Sequence, residues 1–213
     1  TGTNGKTTIV SLLHQLFNSV GYKSGMLSTI NNKIGSTIIP STHTTPDILS
    51  IYNLLSRMID DKCKYCFMEV SSHALSQGRV SGLDFAGGVF TNITHDHLDY
   101  HKSFSAYRDA KKSFFDSLGC KAFAIINQDD KNGVKMCEST EARTFYYSLR
   151  TFTDYNCKIL ESEFEGTLLK INNQQLWIRL VGNFNAYNML AVYSVAKQFS
   201  IKDQDIFKYM SML

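Results

Sequence analysis

The first eight residues, Thr1-Gly2-Thr3-Asn4-Gly5-Lys6-Thr7-Thr8, constrain this chain more than any other stretch. Two glycines, a lysine and hydroxyl residues run straight into an amphipathic segment that begins at Ile9 and Val10 and continues through Leu12, Leu13, Leu16 and Phe17. That pattern predicts a phosphate-binding loop opening a helix. Small residues let backbone N–H groups close around phosphate oxygens, and the helix N-terminus adds positive potential. Lys6 would reach the β- and γ-phosphates, and the Thr7 hydroxyl would hold Mg²⁺. The full pattern places one more glycine five residues before Gly5, outside this sequence. A site of this kind also needs a strand leading into it, so the sequence is expected to be a piece of a longer protein.

With 213 residues, 43% of them hydrophobic, the chain has the apolar content for a substantial core. Its 22 basic and 19 acidic residues are too balanced to argue for a nucleic-acid partner. No apolar run approaches membrane-spanning length, so no membrane insertion is expected. The cysteines (63, 66, 120, 137 and 157) are odd in number and scattered, which argues for reduced thiols and a cytoplasmic location. Cys63 and Cys66 have the spacing of half a metal clip, but no second pair lies at zinc-finger distance, and they read as strand-entry packing.

Along the chain, helical and strand patterns alternate. A helix is predicted over residues 6–20, stopped by Gly21, followed by strands over 24–29 and 34–39. After the polar loop 40–46, Asp47 can cap a helix running to about Ile59. Strands over 65–70, 87–93, 122–127 and 144–147 alternate with helices over 104–118 and 130–137. This texture predicts an α/β fold with a P-loop-type, mostly parallel sheet and helices on both faces. Between about 151 and 181 short alternating runs appear around an Asn172-Asn173 turn signal, predicting a small antiparallel portion. Helices over 183–199 and 202–210 close the chain.

Ligands in such sheets collect at the carboxyl ends of strands. Three polar clusters are placed there: the phosphate loop, Glu69 to His73, and Thr94 to His101. Glu69, between Met68 and Val70, is costly to bury unless paired or bound to metal. His95, His97 and His101 carry weight only in combination with the other clusters, because Mg²⁺ prefers oxygen ligands.

That combination carries a resemblance. The octet, then His43-Thr44-Thr45-Pro46-Asp47, Glu69-Val70-Ser71-Ser72-His73-Ala74-Leu75, the run from Thr91 to His101, Tyr107-x-x-Ala110-Lys111 and Gly182-x-Phe184-Asn185-x-x-Asn188 occur in order. Together they resemble the Mur ligases of peptidoglycan synthesis, over nearly the whole chain, as their central ATP-binding domain. Within that family the Ser-Ser-His run is similar to the branch that adds a diamino acid. On this likeness the UDP-binding N-terminal domain and the amino-acid-binding C-terminal domain lie outside the sequence.

The resemblance implies an ATP- and Mg²⁺-dependent amide ligase working through an acyl phosphate. Its substrates would be UDP-N-acetylmuramoyl-L-alanyl-D-glutamate and meso-diaminopimelate or L-lysine. It implies catalytic roles for Lys6, Glu69, His97 and Lys111, and nucleotide contacts from Gly2, Thr3, Asn4, Gly5, Lys6, Thr7, Thr8 and, at adenine, Asn185. Thr7 and Glu69 would ligate one Mg²⁺ and His97 a second, with Lys111 contacting metal as a CO₂-derived carbamate. Thr44, Thr45, Ser71, Gln77 and Arg79 would hold the muramoyl-dipeptide substrate. Asp96 would organise water or the metal shell, while His95, where many relatives carry arginine, receives no role. A sister Mur-type ligase, folylpolyglutamate synthase, a P-loop NTPase switch without ligase activity and a catalytically dead binding module remain the alternatives.

Overall fold

The computed structural model describes residues 1–96 and 98–212. In chain order the elements are α1 (Lys6–Ser19), β1 (Ser24–Leu27), β2 (Asn31–Ile34), β3 (Thr37–Pro40), α2 (Ile48–Asp60), β4 (Tyr65–Met68), α3 (Ser72–Ser76), β5 (Gly87–Phe90) and α4 (Leu98–His101). They continue with α5 (Phe104–Asp116), β6 (Phe123–Asn127), α6 (Gly133–Met136), β7 (Arg143–Ser148), β8 (Tyr155–Glu163), β9 (Gly166–Ile171), β10 (Gln174–Ile178), α7 (Asn183–Gln198) and α8 (Asp203–Met210). Two compact units result. One comprises residues 1–84 and 94–114, the other residues 85–93 and 115–213, of which residue 213 is outside the description.

The first unit holds a four-stranded sheet ordered β3-β2-β1-β4. β1 and β4 run parallel, Ser24 opposite Tyr65 and Leu27 opposite Met68. Helices cover both faces because β4 is apolar at consecutive positions, Tyr65-Cys66-Phe67-Met68, and so presents apolar side chains to either side. On one face Phe17 of α1 lies edge-on to Tyr65 and Phe67, with ring centroids 4.9 and 4.8 Å away. On the other, Ile51, Leu54 and Met58 of α2 pack with Leu27 and Ile34, against which Cys66 and Met68 also lie. Cys63 packs on the same cluster, so the Cys63/Cys66 pair is the strand-entry packing expected of it. All five cysteines are free.

One expectation is corrected here. Residues 34–39 form two strands, not one: Gly35, at φ 56°, turns the chain so that Ile34 pairs with Thr37. That positive φ suits a residue without Cβ. Asp47 caps α2 as expected, accepting from the Ser50 N–H at 3.0 Å.

The second unit holds a six-stranded sheet ordered β10-β9-β8-β7-β6-β5. β5 through β8 are parallel neighbours, and β8, β9 and β10 are antiparallel. β8 is therefore the strand at which the sheet changes sense. Asn172, at φ 52°, makes the β9–β10 turn where the paired asparagines predicted it. The interior strand β6, between β5 and β7, is buried at every position, the burial expected of a parallel strand covered on both faces. Among the described residues no helix is long and apolar enough to cross a membrane.

Phe17 is fully buried beneath the helix that carries the phosphate loop. Phe17→Ala is expected to cost about 3–5 kcal/mol, because the flanking rings cannot fill the space it leaves. Urea unfolding of the chain checks this, and a loss under 1 kcal/mol would contradict it.

Candidate functional site: a phosphate loop facing a buried glutamate

At the start of α1, Gly5 sits at φ 86° and its carbonyl takes the first helical hydrogen bond, from the Ile9 N–H at 3.0 Å. A Cβ would strain this left-handed position. Lys6 Nζ donates to the carbonyls of Gly2 and Thr3, both at 2.8 Å. Burial lowers the Lys6 pKa below the ordinary lysine value, while the carboxylates of Glu69 and Asp96 oppose the shift.

Glu69 follows β4 directly, and its backbone N–H continues the pairing by donating to Leu27 O at 2.9 Å. The residue is 1% exposed. Its carboxylate is held by a residue that the sequence reading passed over, Thr29. The Thr29 N–H donates to Oε1 at 2.8 Å, and the Thr29 hydroxyl lies 3.3 Å from Oε2 and 3.1 Å from Thr44 Oγ1. Thr29 comes two residues after β1, the parallel neighbour of β4. Applying the strand-end rule to β1 would have found it.

Thr45, buried at 1% exposure, ties together the residues around it. Its hydroxyl donates to Glu69 O at 2.7 Å and accepts the Ser71 N–H at 3.1 Å. Its carbonyl accepts from Arg79 Nη1 at 2.8 Å. Arg79 Nε donates to Gln77 Oε1 at 2.8 Å, and Gln77 Nε2 reaches the Tyr100 hydroxyl at 3.2 Å. Ser71 caps α3 through the Ala74 N–H. Lys6, Thr7, Thr29, Glu69, Thr45 and Arg79 thus share one cavity of about 430 Å³, which Thr44 and Ser71 also line.

On α5, Lys111 is 1% exposed. Its Nζ lies 3.1 Å from Gly2 O and 4.6 Å from the centre of the Tyr107 ring. The Tyr107 hydroxyl bonds Thr3 Oγ1 at 3.0 Å, and the same oxygen accepts the Thr94 N–H at 3.0 Å. One turn of α5 thereby anchors Lys111 to the phosphate loop. Burial, helped by the neighbouring Lys6 cation, pulls the Lys111 pKa down to about 7, with Asp96 opposing. His97 lies outside the described residues. His95 lies against the Phe104 ring at 4.7 Å between centroids.

In the second unit, Asn185 stands in the first turn of α7. Its Nδ2 donates to Val181 O at 2.9 Å, and its Oδ1 accepts from Asn188 Nδ2 at 3.3 Å.

The donor set fits a hard divalent cation. A buried carboxylate and a loop hydroxyl at Thr7 offer oxygen ligands, the chemistry Mg²⁺ prefers. Among the described residues no three His, Cys, Asp or Glu side chains gather into a metal cluster. Thr7 and Glu69, which line the same cavity, are side chains that could hold the ion.

Comparison with known proteins agrees with this architecture. The model of the Mur ligase middle domain matches residues 1–196. The chain belongs to the Mur ligase family, of which it is a middle domain. It is 52% identical over 213 residues to the UDP-N-acetylmuramoyl-L-alanyl-D-glutamate--2,6-diaminopimelate ligase of Phocaeicola vulgatus, covering all of this chain and 44% of that protein. The namesake from Parabacteroides distasonis is 51% identical over the same span. A solved structure of a ligase with that name superposes with TM-score 0.90 at 32% identity, over all of this chain and 45% of that one. MurF from Acinetobacter baumannii shares the fold, with TM-score 0.76 at 16% identity over 99% of this chain and 44% of that one. The chain thus spans less than half the length of the relatives it matches.

The depressed Lys111 pKa has a consequence for stability. Between about pH 7 and its ordinary value of 10.5 the unfolded chain holds a proton on Lys111 that the folded chain does not. Stability from this group therefore rises with pH across that window, and the burial penalty is full below it. In CO₂-free buffer, Lys111→Met is expected to stabilise the chain more at pH 6 than at pH 10, as read from urea midpoints. An equal effect at both pH values would contradict the assignment.

Proposed function

We propose that this chain is the nucleotide-binding part of an ATP-dependent ligase. The ligase would join meso-diaminopimelate to UDP-N-acetylmuramoyl-L-alanyl-D-glutamate in peptidoglycan synthesis, the MurE reaction. The observation that carries this reading is the single cavity in which Lys6, Thr7 and Glu69 face Thr45 and Arg79. Phosphate-handling groups and carboxylate-binding groups there share one space. The names of the relatives at 52% and 51% identity support diaminopimelate over lysine as the added amino acid.

In the first step the substrate carboxylate attacks the γ-phosphorus of ATP, giving an acyl phosphate and ADP. In the second the amine attacks the acyl carbon, phosphate leaves, and the amine gives up a proton. Lys6 exchanges its loop carbonyls for phosphate oxygens and neutralises their charge. Thr7 and Glu69 would hold Mg²⁺, which would supply further neutralisation of phosphate charge. Backbone N–H groups of residues 2–8 cradle the phosphates, and Asn185 meets the adenine. Arg79 presents a forked cation to the muramoyl-dipeptide, beside Thr44, Thr45, Ser71 and Gln77. His97 is assigned to a second metal by likeness to the family alone.

Lys111 acts as a carbamate. With a pKa near 7 its amine is largely neutral at physiological pH, the form that adds to CO₂. Addition of the neutral amine to CO₂ forms an N–C bond and releases one proton, leaving a buried anion that a metal can accept. The reaction would take place in the cytoplasm.

The test uses the full-length parent protein and follows phosphate release from ATP. Release is expected only with UDP-N-acetylmuramoyl-L-alanyl-D-glutamate and diaminopimelate both present, and lysine should not substitute. Release with neither substrate would favour an NTPase switch. Separately, ¹³CO₂ should give a carbamate resonance that Lys111→Met removes. Its survival in that variant would place the modification elsewhere.

A further inference from the structure

The turn that carries Asn185 is tied down by one carboxylate. Asp129 lies two residues beyond the end of β6, and its backbone N–H is fixed to Asn127 Oδ1 at 3.0 Å. Its Oδ2 accepts the Tyr187 hydroxyl at 2.8 Å and the Leu149 N–H at 2.8 Å. Its Oδ1 accepts the Ser148 hydroxyl at 2.6 Å. Ser148 Oγ in turn receives the N–H groups of Arg150 at 2.9 Å and Thr151 at 2.8 Å. One side chain thus joins the carboxyl ends of β6 and β7 to the N-terminal part of α7.

Tyr187 stands two residues past Asn185, where the first turn of α7 passes into the second. Burial, with Asp129 beside it, raises the Tyr187 pKa to about 12, so the phenol stays a donor at neutral pH. The Asn185 amide is oriented by its bonds to Val181 and Asn188. One Nδ2 hydrogen and one Oδ1 lone pair are left over. That donor–acceptor pair matches the N6/N7 edge of adenine and mismatches the O6/N7 edge of guanine. The match holds only while the helix turn keeps the amide in place.

We propose that Asp129, acting through Tyr187, is a positioning residue for Asn185 and thereby sets the purine preference of the nucleotide site. This rests on the reading of Asn185 as the base contact. A carboxylate that only stabilised the β7–α7 region would change the melting temperature and leave base preference alone.

The experiment measures dissociation constants of ADP and GDP for the full-length protein by calorimetry, with thermal midpoints recorded alongside. Tyr187→Phe removes one hydroxyl and keeps the ring. Asp129→Asn keeps the shape and removes the charge. Each is expected to reduce the ADP-over-GDP preference about three- to tenfold, the size of one hydrogen bond. The double variant should lose no more than the larger single, because both act through the same bond. An unchanged preference in Tyr187→Phe, whatever its midpoint, overturns the proposal, and this variant decides alone if Asp129→Asn does not fold. Equal affinity of the unaltered protein for ADP and GDP overturns it as well. Asn185→Ala separates the two readings: if it leaves the preference intact, the base-contact reading fails. If it abolishes the preference while Tyr187→Phe does not, only the positioning role fails.

Discussion

A carboxylate buried at the end of a strand shapes the first unit. Leaving an ionised group out of water is costly unless it is hydrogen-bonded or paired. Glu69, at 1% exposure, obtains a backbone N–H and a nearby hydroxyl from Thr29. Its own carbonyl is bound by Thr45, which also orients Ser71 and, through its carbonyl, Arg79. The loop from residue 43 to 47 is thereby fixed by the group it serves. Parallel pairing of β1 and β4 makes this possible, because it brings Thr29 and Glu69 out of the sheet side by side.

A second constraint is the approach of two lysines to one carbonyl. Lys6 Nζ and Lys111 Nζ both donate to Gly2 O, at 2.8 and 3.1 Å. Burial disfavours the charged form of Lys111, and the nearby Lys6 cation adds to the effect, so Lys111 is the one that yields its proton. Tyr107 holds the geometry by placing its ring under Lys111 and its hydroxyl on Thr3. The lysine that would look like a solvated helix residue in sequence is thereby an amine poised near neutrality.

Much of this was legible in the sequence because it depends on local chemistry. Gly5-Lys6-Thr7 announces its loop, Asp47 its cap, and the Asn172-Asn173 pair its turn. The residues that escaped are those whose function exists only across the fold. Thr29 is unremarkable until β1 is paired with β4, forty residues away from the carboxylate it binds. Asp129 and Tyr187 lie 58 residues apart in sequence, and nothing in either neighbourhood names the other. The hairpin at 34–37 reads as one strand in sequence because its turn rests on a single glycine, and Ser36-Thr37 lead straight into the apolar pair Ile38-Ile39.

The central claim is that Thr7 and Glu69 jointly offer a divalent cation its protein ligands. Anomalous scattering from Mn²⁺ in crystals of the full-length protein with a non-hydrolysable ATP analogue tests it most directly. The account predicts a peak within about 2.0–2.3 Å of both Thr7 Oγ1 and a Glu69 carboxylate oxygen, the range of hard-cation coordination. A peak touching the nucleotide phosphates with neither residue in contact would contradict it.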